Sequence, residues 1–263
     1  TYEKAGLEVP QTWADLEAAG PVFKKELGDE YSPLGVSLIY DLAYSFTLQK
    51  TGMEMYDEDG NIQWTESEWN TAYTEIEKLS TTGVLPTVEQ QQGSSDLATS
   101  PLWVDGRIAG AFTWSSASSL QDAVDENQEL VVVPLLEMED AQSTGKVQKP
   151  TMSFAISENC KYKDQTAEFL GWLVSSPEAT KELKLTRGPI ENKEALETLD
   201  SEGLLDDNIV YDISQATKDI EKSTYPIAPD LEVVGQDEIE NIRFGTDSVD
   251  TAVQKTLEVQ ETL

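Results

Sequence analysis

The sequence predicts an α/β protein, because amphipathic helices with clear capping signals are mixed with short apolar runs of strand type. Helical periodicity is clearest at 66–81, where apolar residues recur every three or four positions from Trp69 to Leu79. The run LVVVPL at 130–135 is continuous and rich in β-branched residues, which is typical of a buried strand. No repeat of fixed period is present, so a solenoid or propeller is not expected.

Local signals mark where most helices begin and end. Thr12 and Asp15 form a capping box that opens a helix extending to about residue 27. Ser176 followed by Pro177 is an N-cap with proline at the first helical position, and Gly245 stands where a C-cap is expected. Further helices are predicted at 34–48, 192–199, 211–222, 231–244 and 247–262.

Two more runs have strand character. IAGAFTW at 108–114 follows the turn DGR, and TMSFAIS at 151–157 follows a polar stretch. The segments 86–96 and 137–149 are polar and are predicted to be surface loops.

The charge balance restricts the class of partner. The chain has 50 acidic and 18 basic residues and a formal net charge of −32. Binding to phosphate needs a basic surface, so this balance argues against nucleic acid and against docking on anionic lipid. The acidic residues are spread along the chain, which is typical of a solvated surface.

Several kinds of catalytic chemistry lack their residues. The sequence has no histidine, which excludes a Ser-His-Asp triad and histidine metal ligands, and the single cysteine, Cys160, cannot form a zinc cluster. Neither a Walker loop nor G-x-G-x-x-G occurs, so no nucleotide cofactor is expected. Two alternatives stay open: a glycosidase that uses paired carboxylates, and an acidic interaction protein.

The stretch MYDEDGNIQWTESEW at 55–69 resembles a calcium loop at first. Oxygen side chains from Asp57 to Glu68 fall at positions 1, 3, 5 and 12 of an EF-hand loop. That loop needs glycine at position 6, where this chain has Ile62, and its glycine is Gly60 instead. Thr65 and Glu68 also match a capping box. We therefore predict a hairpin turn followed by a helix, and no metal site.

Six stretches, taken in order along nearly the whole chain, have counterparts in one protein family. They are YEKAGLEVPQTWADL (2–16), TGMEMYDEDGNIQWTESEW (51–69), PLWVDGRIAGAFTWSSAS (101–118), SFAISENCKYKDQTAEFLGWLVSSPEATKEL (153–183), RGPIENKEAL (187–196) and IRFGTDSVDTAVQKTLEVQETL (242–263). The ordered set resembles the extracellular solute-binding proteins of carbohydrate ABC transporters, the maltose-binding-protein-like group.

This resemblance implies a periplasmic-binding-protein-like type II fold with two α/β lobes. Residues 1–150 and 192–263 would form the C-terminal lobe, 151–191 would belong to the N-terminal lobe, and an N-terminal segment would be missing. The implied function is capture of a mono- or oligosaccharide outside the cell and delivery to ABC permease subunits, without catalysis or a cofactor. Membrane attachment would come only from an upstream lipid anchor.

Sugar recognition needs a flat aromatic face for the ring and polar groups for the hydroxyls. Trp114 ends the predicted strand at 108–114, just before SSASS, and ligands of α/β folds bind beyond the carboxyl ends of strands. We expect Trp114 to stack on a ligand, with Thr113, Ser115 and Ser116 as polar companions. The other tryptophans, Trp172 included, are expected to pack in the core.

A second group of candidates lies in LIYDLAYSF. Tyr40, Asp41 and Tyr44 share one helical face, and Asp41 is an acid among apolar residues. The alternative is that both tyrosines belong to the core and Asp41 caps a neighbouring group. Glu54 and Arg187 complete the ligand-binding candidates, although Arg187 precedes Gly-Pro and a hinge role competes.

Overall fold

The computed structural model is mostly helical. It describes residues 1–35, 37–57, 59–91, 96–115, 118–124, 127–133, 135–148, 153–186, 192–206, 208–219, 223–224 and 229–263. The helices within these ranges are α1 (Trp13–Glu26), α2 (Ile39–Thr51), α3 (Glu66–Thr81), α4 (Val88–Gln91), α5 (Pro101–Val104), α6 (Ser118–Asp122), α7 (Lys163–Ser175), α8 (Pro177–Leu183), α9 (Lys193–Ser201), α10 (Ile209–Thr217), α11 (Pro229–Phe244) and α12 (Val249–Gln260). Short 3-10 turns occupy Glu3–Ala5 and Leu97–Thr99.

The capping signals predict the helix starts well. The Thr12–Asp15 and Thr65–Glu68 boxes are both formed, and Ser176 caps α8 through the backbone N–H of Ala179. These predictions are confirmed because each depends on residues three positions apart, whose geometry is local. Helix α2 begins at residue 39 rather than 34, since residues 32–35 pair with another segment first.

The main core lies among α2, α3, α11 and α12. A series of aromatic contacts crosses it, with ring centroids 5.3 Å apart for Tyr44 and Trp64, 4.8 Å for Trp64 and Trp69, and 5.7 Å for Trp69 and Tyr73. All four side chains are at least 98% buried. Burying aromatic surface of this size is a large stabilising contribution.

A close helix contact explains one glycine. Helix α11 approaches α2 so closely at Gly235 that a Cβ atom there would overlap the ring of Tyr40. Tyr40 itself is 5% exposed. Gly235 is therefore required by packing rather than by backbone conformation.

Gln49 ties α2 to α1 and to the following loop. Its Oε1 accepts the indole N–H of Trp13 at 2.6 Å, and its Nε2 donates to the carbonyls of Leu136 at 3.1 Å and Thr144 at 3.4 Å. A buried amide needs several partners. These bonds hold the stretch 136–144 against the helical layer.

Strands are far fewer than predicted. The one named sheet is a parallel pair, β1 (Val147–Gln148) with β2 (Ser223–Thr224), in the register Val147↔Ser223. Residues 108–114 make only isolated parallel bridges, Ser32↔Ile108 and Gly35↔Ala111. Residues 130–133, 135 and 153–157 form no strand. The strand predictions at these positions were wrong for this chain, because apolar content makes a strand only where a partner strand completes the ladder.

Helices α7, α8 and α9 pack on one another. Helix α7 buries none of its side chains, and Trp172, 47% exposed, stacks on Phe169 with ring centroids 6.0 Å apart. The expectation that Trp172 lies in the core was wrong, because α8 and α9 leave this face of α7 open. Among the described residues, no helix is long and apolar enough to cross a membrane.

Candidate functional site

Parallel pairing of two extended segments defines the candidate site. Ser32 donates its N–H to the carbonyl of Arg107 at 2.9 Å, Ala109 donates to Ser32 at 3.0 Å, and Gly35 donates to Gly110 at 2.8 Å. Since the two segments run in the same direction, their carboxyl ends reach the same edge. Ligands of α/β folds bind at such an edge.

Three of the predicted residues emerge there. Thr113, Trp114 and Ser115 directly follow the paired segment, and each is half-buried. Half-burial suits a binding residue, since one face is held by the protein while the other is accessible. Thr113 also lies on the wall of a cavity of about 600 Å³.

The amino end of α2 emerges at the same edge, after Gly35. The N-cap residue of α2 is Leu38, whose apolar side chain makes no capping hydrogen bond. The first N–H groups of a helix point outward and carry partial positive charge. They form a set of donors that the sequence reasoning missed, because backbone groups have no signature in residue type.

Asp41 lies in this first turn and is 6% exposed. A carboxylate is favoured near a helix amino end by the macrodipole. The side chain of Asp41 lies below the surface of the protein.

The two tyrosines lie deeper. Tyr40 is 5% exposed and Tyr44 is 1% exposed, and the hydroxyl of Tyr40 contacts Sδ of Met55 at 3.7 Å. Burial raises the pKa of Tyr44 to about 12, and the negative charge of Glu54 adds to the shift. In this conformation neither ring face is available to a ligand.

The remaining candidates are placed differently. Glu54 is exposed and lies beside the buried Met55, next to Tyr44 rather than at the edge with Trp114. Ser116 and Arg187 lie outside the described residues. The structure therefore places Thr113, Trp114 and Ser115 just after the segment that pairs with Gly35, and α2 begins at Ile39, a few residues beyond Gly35.

The stretch from Asp57 to Gln63 is a tight hairpin. Asp57 Oδ1 accepts the backbone N–H groups of Asp59 at 3.0 Å and Asn61 at 2.8 Å, and Tyr56 pairs with Ile62 in an antiparallel bridge. Hydrogen bonds from Asn61 hold the pKa of Asp57 below its usual range. The hairpin prediction is confirmed. In the described part of the chain, no three His, Cys, Asp or Glu residues are grouped to hold a metal ion.

Thr113 and Trp114 lie beyond the carboxyl end of a parallel-paired segment, which is where ligands of α/β proteins bind. The sequence profile of the bacterial extracellular solute-binding protein family matches residues 1–180. This chain belongs to that family, as the sequence resemblance predicted. Members of the family act outside the cytoplasm, in the periplasm or at the cell exterior.

Solved structures support the same assignment. A periplasmic solute binding protein from Pectobacterium atrosepticum is 27% identical with a TM-score of 0.90, and the match covers 99% of this chain and 68% of that one. An oligogalacturonide binding protein from Yersinia enterocolitica, in complex with saturated digalacturonic acid, is 25% identical with a TM-score of 0.91 and the same coverage.

The fold is also shared with a protein of another activity. A de novo designed cysteine esterase is 24% identical with a TM-score of 0.77, over 99% of this chain and 68% of that one. This likeness concerns the fold alone. A search of curated protein sequences gives no significant match. The predicted two-lobe binding-protein fold is confirmed, and the chain accounts for part of it.

Proposed function

We propose that this protein captures a mono- or oligosaccharide outside the cell and delivers it to the permease subunits of an ABC importer. The observation that carries the proposal is the similarity, over 99% of the chain, to an oligogalacturonide binding protein that holds its ligand. Family membership supports a binding role rather than a catalytic one. No cofactor is required, because capture and release involve no bond chemistry.

The edge beside Trp114 is the proposed ligand surface. The indole face would stack on the C–H side of a sugar ring, while Thr113, Ser115 and Ser116 would bond hydroxyl groups. The N–H groups in the first turn of α2 would be donors for a sugar oxygen or a carboxylate. The buried Tyr40 and Tyr44 would hold α2 in position and would not contact the ligand themselves. Polar contacts to the ligand would also come from Asp41, Glu54 and Arg187.

The division into lobes remains part of the proposal. Residues 1–150 and 192–263 would form one lobe, and 151–191 would belong to the other. A ligand that contacts both lobes favours the closed arrangement, because it binds that state more tightly. Neither nucleic acid nor a lipid surface is a proposed partner, apart from a lipid anchor outside these residues.

A thermal-shift screen of the protein as its gene encodes it would test this function. The panel would contain monosaccharides, malto-oligosaccharides and galacturonate oligosaccharides. We expect at least one saccharide to raise the melting temperature in a concentration-dependent way, because a ligand bound only to the native state stabilises it. Hydrolysis of chromogenic glycosides, without any such stabilisation, would instead favour the glycosidase alternative.

A further inference from the structure

The acidic residues of this chain greatly outnumber the groups that could neutralise them. With 50 acidic and 18 basic residues, 32 carboxylates stay without a partner even if every cation pairs with a different acid. A net charge this far from zero destabilises the compact state, because folding brings like charges together. The folded protein therefore carries an excess of repulsion that its own side chains do not balance.

Part of this repulsion lies along the surfaces of helices. Side chains three or four positions apart are neighbours on a helix, and like charges at this spacing are destabilising. Four helices carry such pairs at exposed positions: Asp164 and Glu168 in α7, Glu178 and Glu182 in α8, Glu197 and Asp200 in α9, and Glu258 and Glu261 at the end of α12. Each pair places two carboxylates one helical turn apart in contact with solvent.

The lysines beside two of these pairs do not cancel them. The Nζ atom of Lys163 lies 2.9 Å from a carboxylate oxygen of Glu158, and that of Lys181 lies 2.6 Å from a carboxylate oxygen of Glu202. Both lysines thus pair with acids outside the like-charge pairs of α7 and α8. Since exposed ion pairs contribute little to stability, they do not offset the repulsion.

Dissolved salt acts on charges at these separations. The Debye length is about 10 Å at about 0.1 M ionic strength and about 3 Å at about 1 M. Side chains on adjacent helical turns have their Cβ atoms about 5–6 Å apart. Their repulsion therefore persists in about 0.1 M salt and is largely screened in about 1 M salt. Salt also weakens attractive pairs, but the excess of acids makes repulsion the larger contribution.

We propose that the folded protein is stabilised by dissolved salt, which screens its carboxylates, and that the acidic faces of α7, α8, α9 and α12 contribute to this dependence. Members of the family act outside the cytoplasm, where the ionic strength is that of the surroundings. The folded fraction of the protein would then follow external salinity. This proposal does not depend on which solute is bound.

Thermal unfolding of the full-length protein in a series of NaCl concentrations at one fixed pH would test the dependence. We expect the melting temperature to rise by at least about 5 °C between about 0.1 and about 1 M NaCl. Sucrose at equal osmolality is the control, because it stabilises proteins by exclusion from their surface and does not screen charge. The rise in sucrose should be clearly smaller than the rise in NaCl.

Two sets of substitutions would test the contribution of the helix faces. The lysine set, E168K, E182K, D200K and E261K, turns each like-charge pair into an attractive one, and the neutral set, E168Q, E182Q, D200N and E261Q, only removes charge. All four positions are exposed, so both variants should fold. We expect the lysine set to melt higher than the wild type in low salt and to reduce the rise caused by NaCl by about a third or more, because repulsion scales with the product of the charges. The neutral set should change both quantities in the same direction by less.

Three results would overturn the proposal. A melting temperature that stays level or falls as NaCl increases would show that attractive ion pairs outweigh the repulsion. An equal rise in sucrose would assign the effect to solute exclusion rather than to screening. An equal rise caused by NaCl in the wild type and in both variants would show that these helix faces do not contribute.

Discussion

The indole N–H of Trp69 is bonded to Oε1 of Gln260 at 2.9 Å, although the two residues are 191 positions apart. The amide of Gln260 also donates to the backbone carbonyl of Trp64 at 2.8 Å. The side chain of Gln260, at the end of α12, thus joins the last helix to Trp64, which follows the hairpin, and to Trp69 in α3. The hydroxyls of Tyr73 and Thr256, 2.6 Å apart, form a further contact between α3 and α12.

Replacing Gln260 with alanine is expected to lower the free energy of unfolding by about 2 kcal/mol, because a buried indole N–H and a carbonyl both lose their partner. Urea unfolding followed by tryptophan fluorescence would measure the change. Q254A is the matched control, since Gln254 is exposed on the same helix. If Q260A and Q254A had the same urea midpoint, the hydrogen bonds of Gln260 would make no measurable contribution to stability.

The carboxyl of Glu75 should make stability fall with rising pH. Glu75 is 5% exposed and lies against Lys78 and the carboxylate of Glu17, and burial chiefly raises its pKa to about 7. Between pH 4.5 and 7 the folded state holds a proton that the unfolded state has released. Stability therefore decreases across that window, by at most about 1.4 kcal/mol per pH unit, and levels off above it.

The variant E75Q removes this dependence, because glutamine does not titrate. We expect E75Q to gain stability relative to the wild type as the pH rises from 4.5 to 7, with a constant difference above pH 7. Chemical unfolding at five or six pH values would measure it. E77Q, at an exposed position of the same helix, should follow the wild-type curve. Parallel curves for E75Q and the wild type would refute the assignment.

Replacing Gly235 with alanine should push α11 away from α2 and lower the stability of the protein. The new Cβ would overlap the ring of Tyr40, and overpacking of this kind costs about 1–3 kcal/mol. Thermal unfolding would show a lower melting temperature. G171A is the control, because a Cβ at Gly171 in α7 meets nothing within 4 Å and alanine is the better helix former. A neutral G235A would mean that the two helices are less closely packed than described.

Calcium should leave the melting temperature unchanged at millimolar concentrations. Asp57 is already used by the hairpin, where it accepts N–H groups from Asp59 and Asn61. A differential scanning experiment with calcium and with EDTA would check this. A stabilisation by calcium that disappears in D57N would show that the hairpin is a metal site after all.

The sequence allowed the helices to be predicted better than the strands for a physical reason. The caps at Thr12, Thr65 and Ser176 depend on contacts within one turn, so their residue pattern carries the information. A strand depends on a partner elsewhere, and LVVV has no strand partner among the described residues. The hydrogen bond between Gln260 and Trp69 could not be predicted either, because α12 and α3 are far apart in the sequence.

The candidate site was predictable in part. Trp114 follows from its place at the end of an apolar run, and the parallel bridges support that position. Helical spacing left open whether Tyr40 and Tyr44 face a ligand or the core. The structure buries both tyrosines, because α3 and α11 pack on α2. The donors at the start of α2 belong to the backbone and become visible only in the fold.

The most direct test of the account is isothermal titration of the full-length protein with the saccharide that stabilises it most. Wild type and W172A, altered at an exposed indole on α7, should bind with the same affinity. W114A should bind at least about tenfold more weakly, since one aromatic stacking contact is worth on the order of 1–1.5 kcal/mol and its loss also removes buried surface. Equal affinity for W114A and wild type, or no binding of any saccharide by the wild type, would contradict the account.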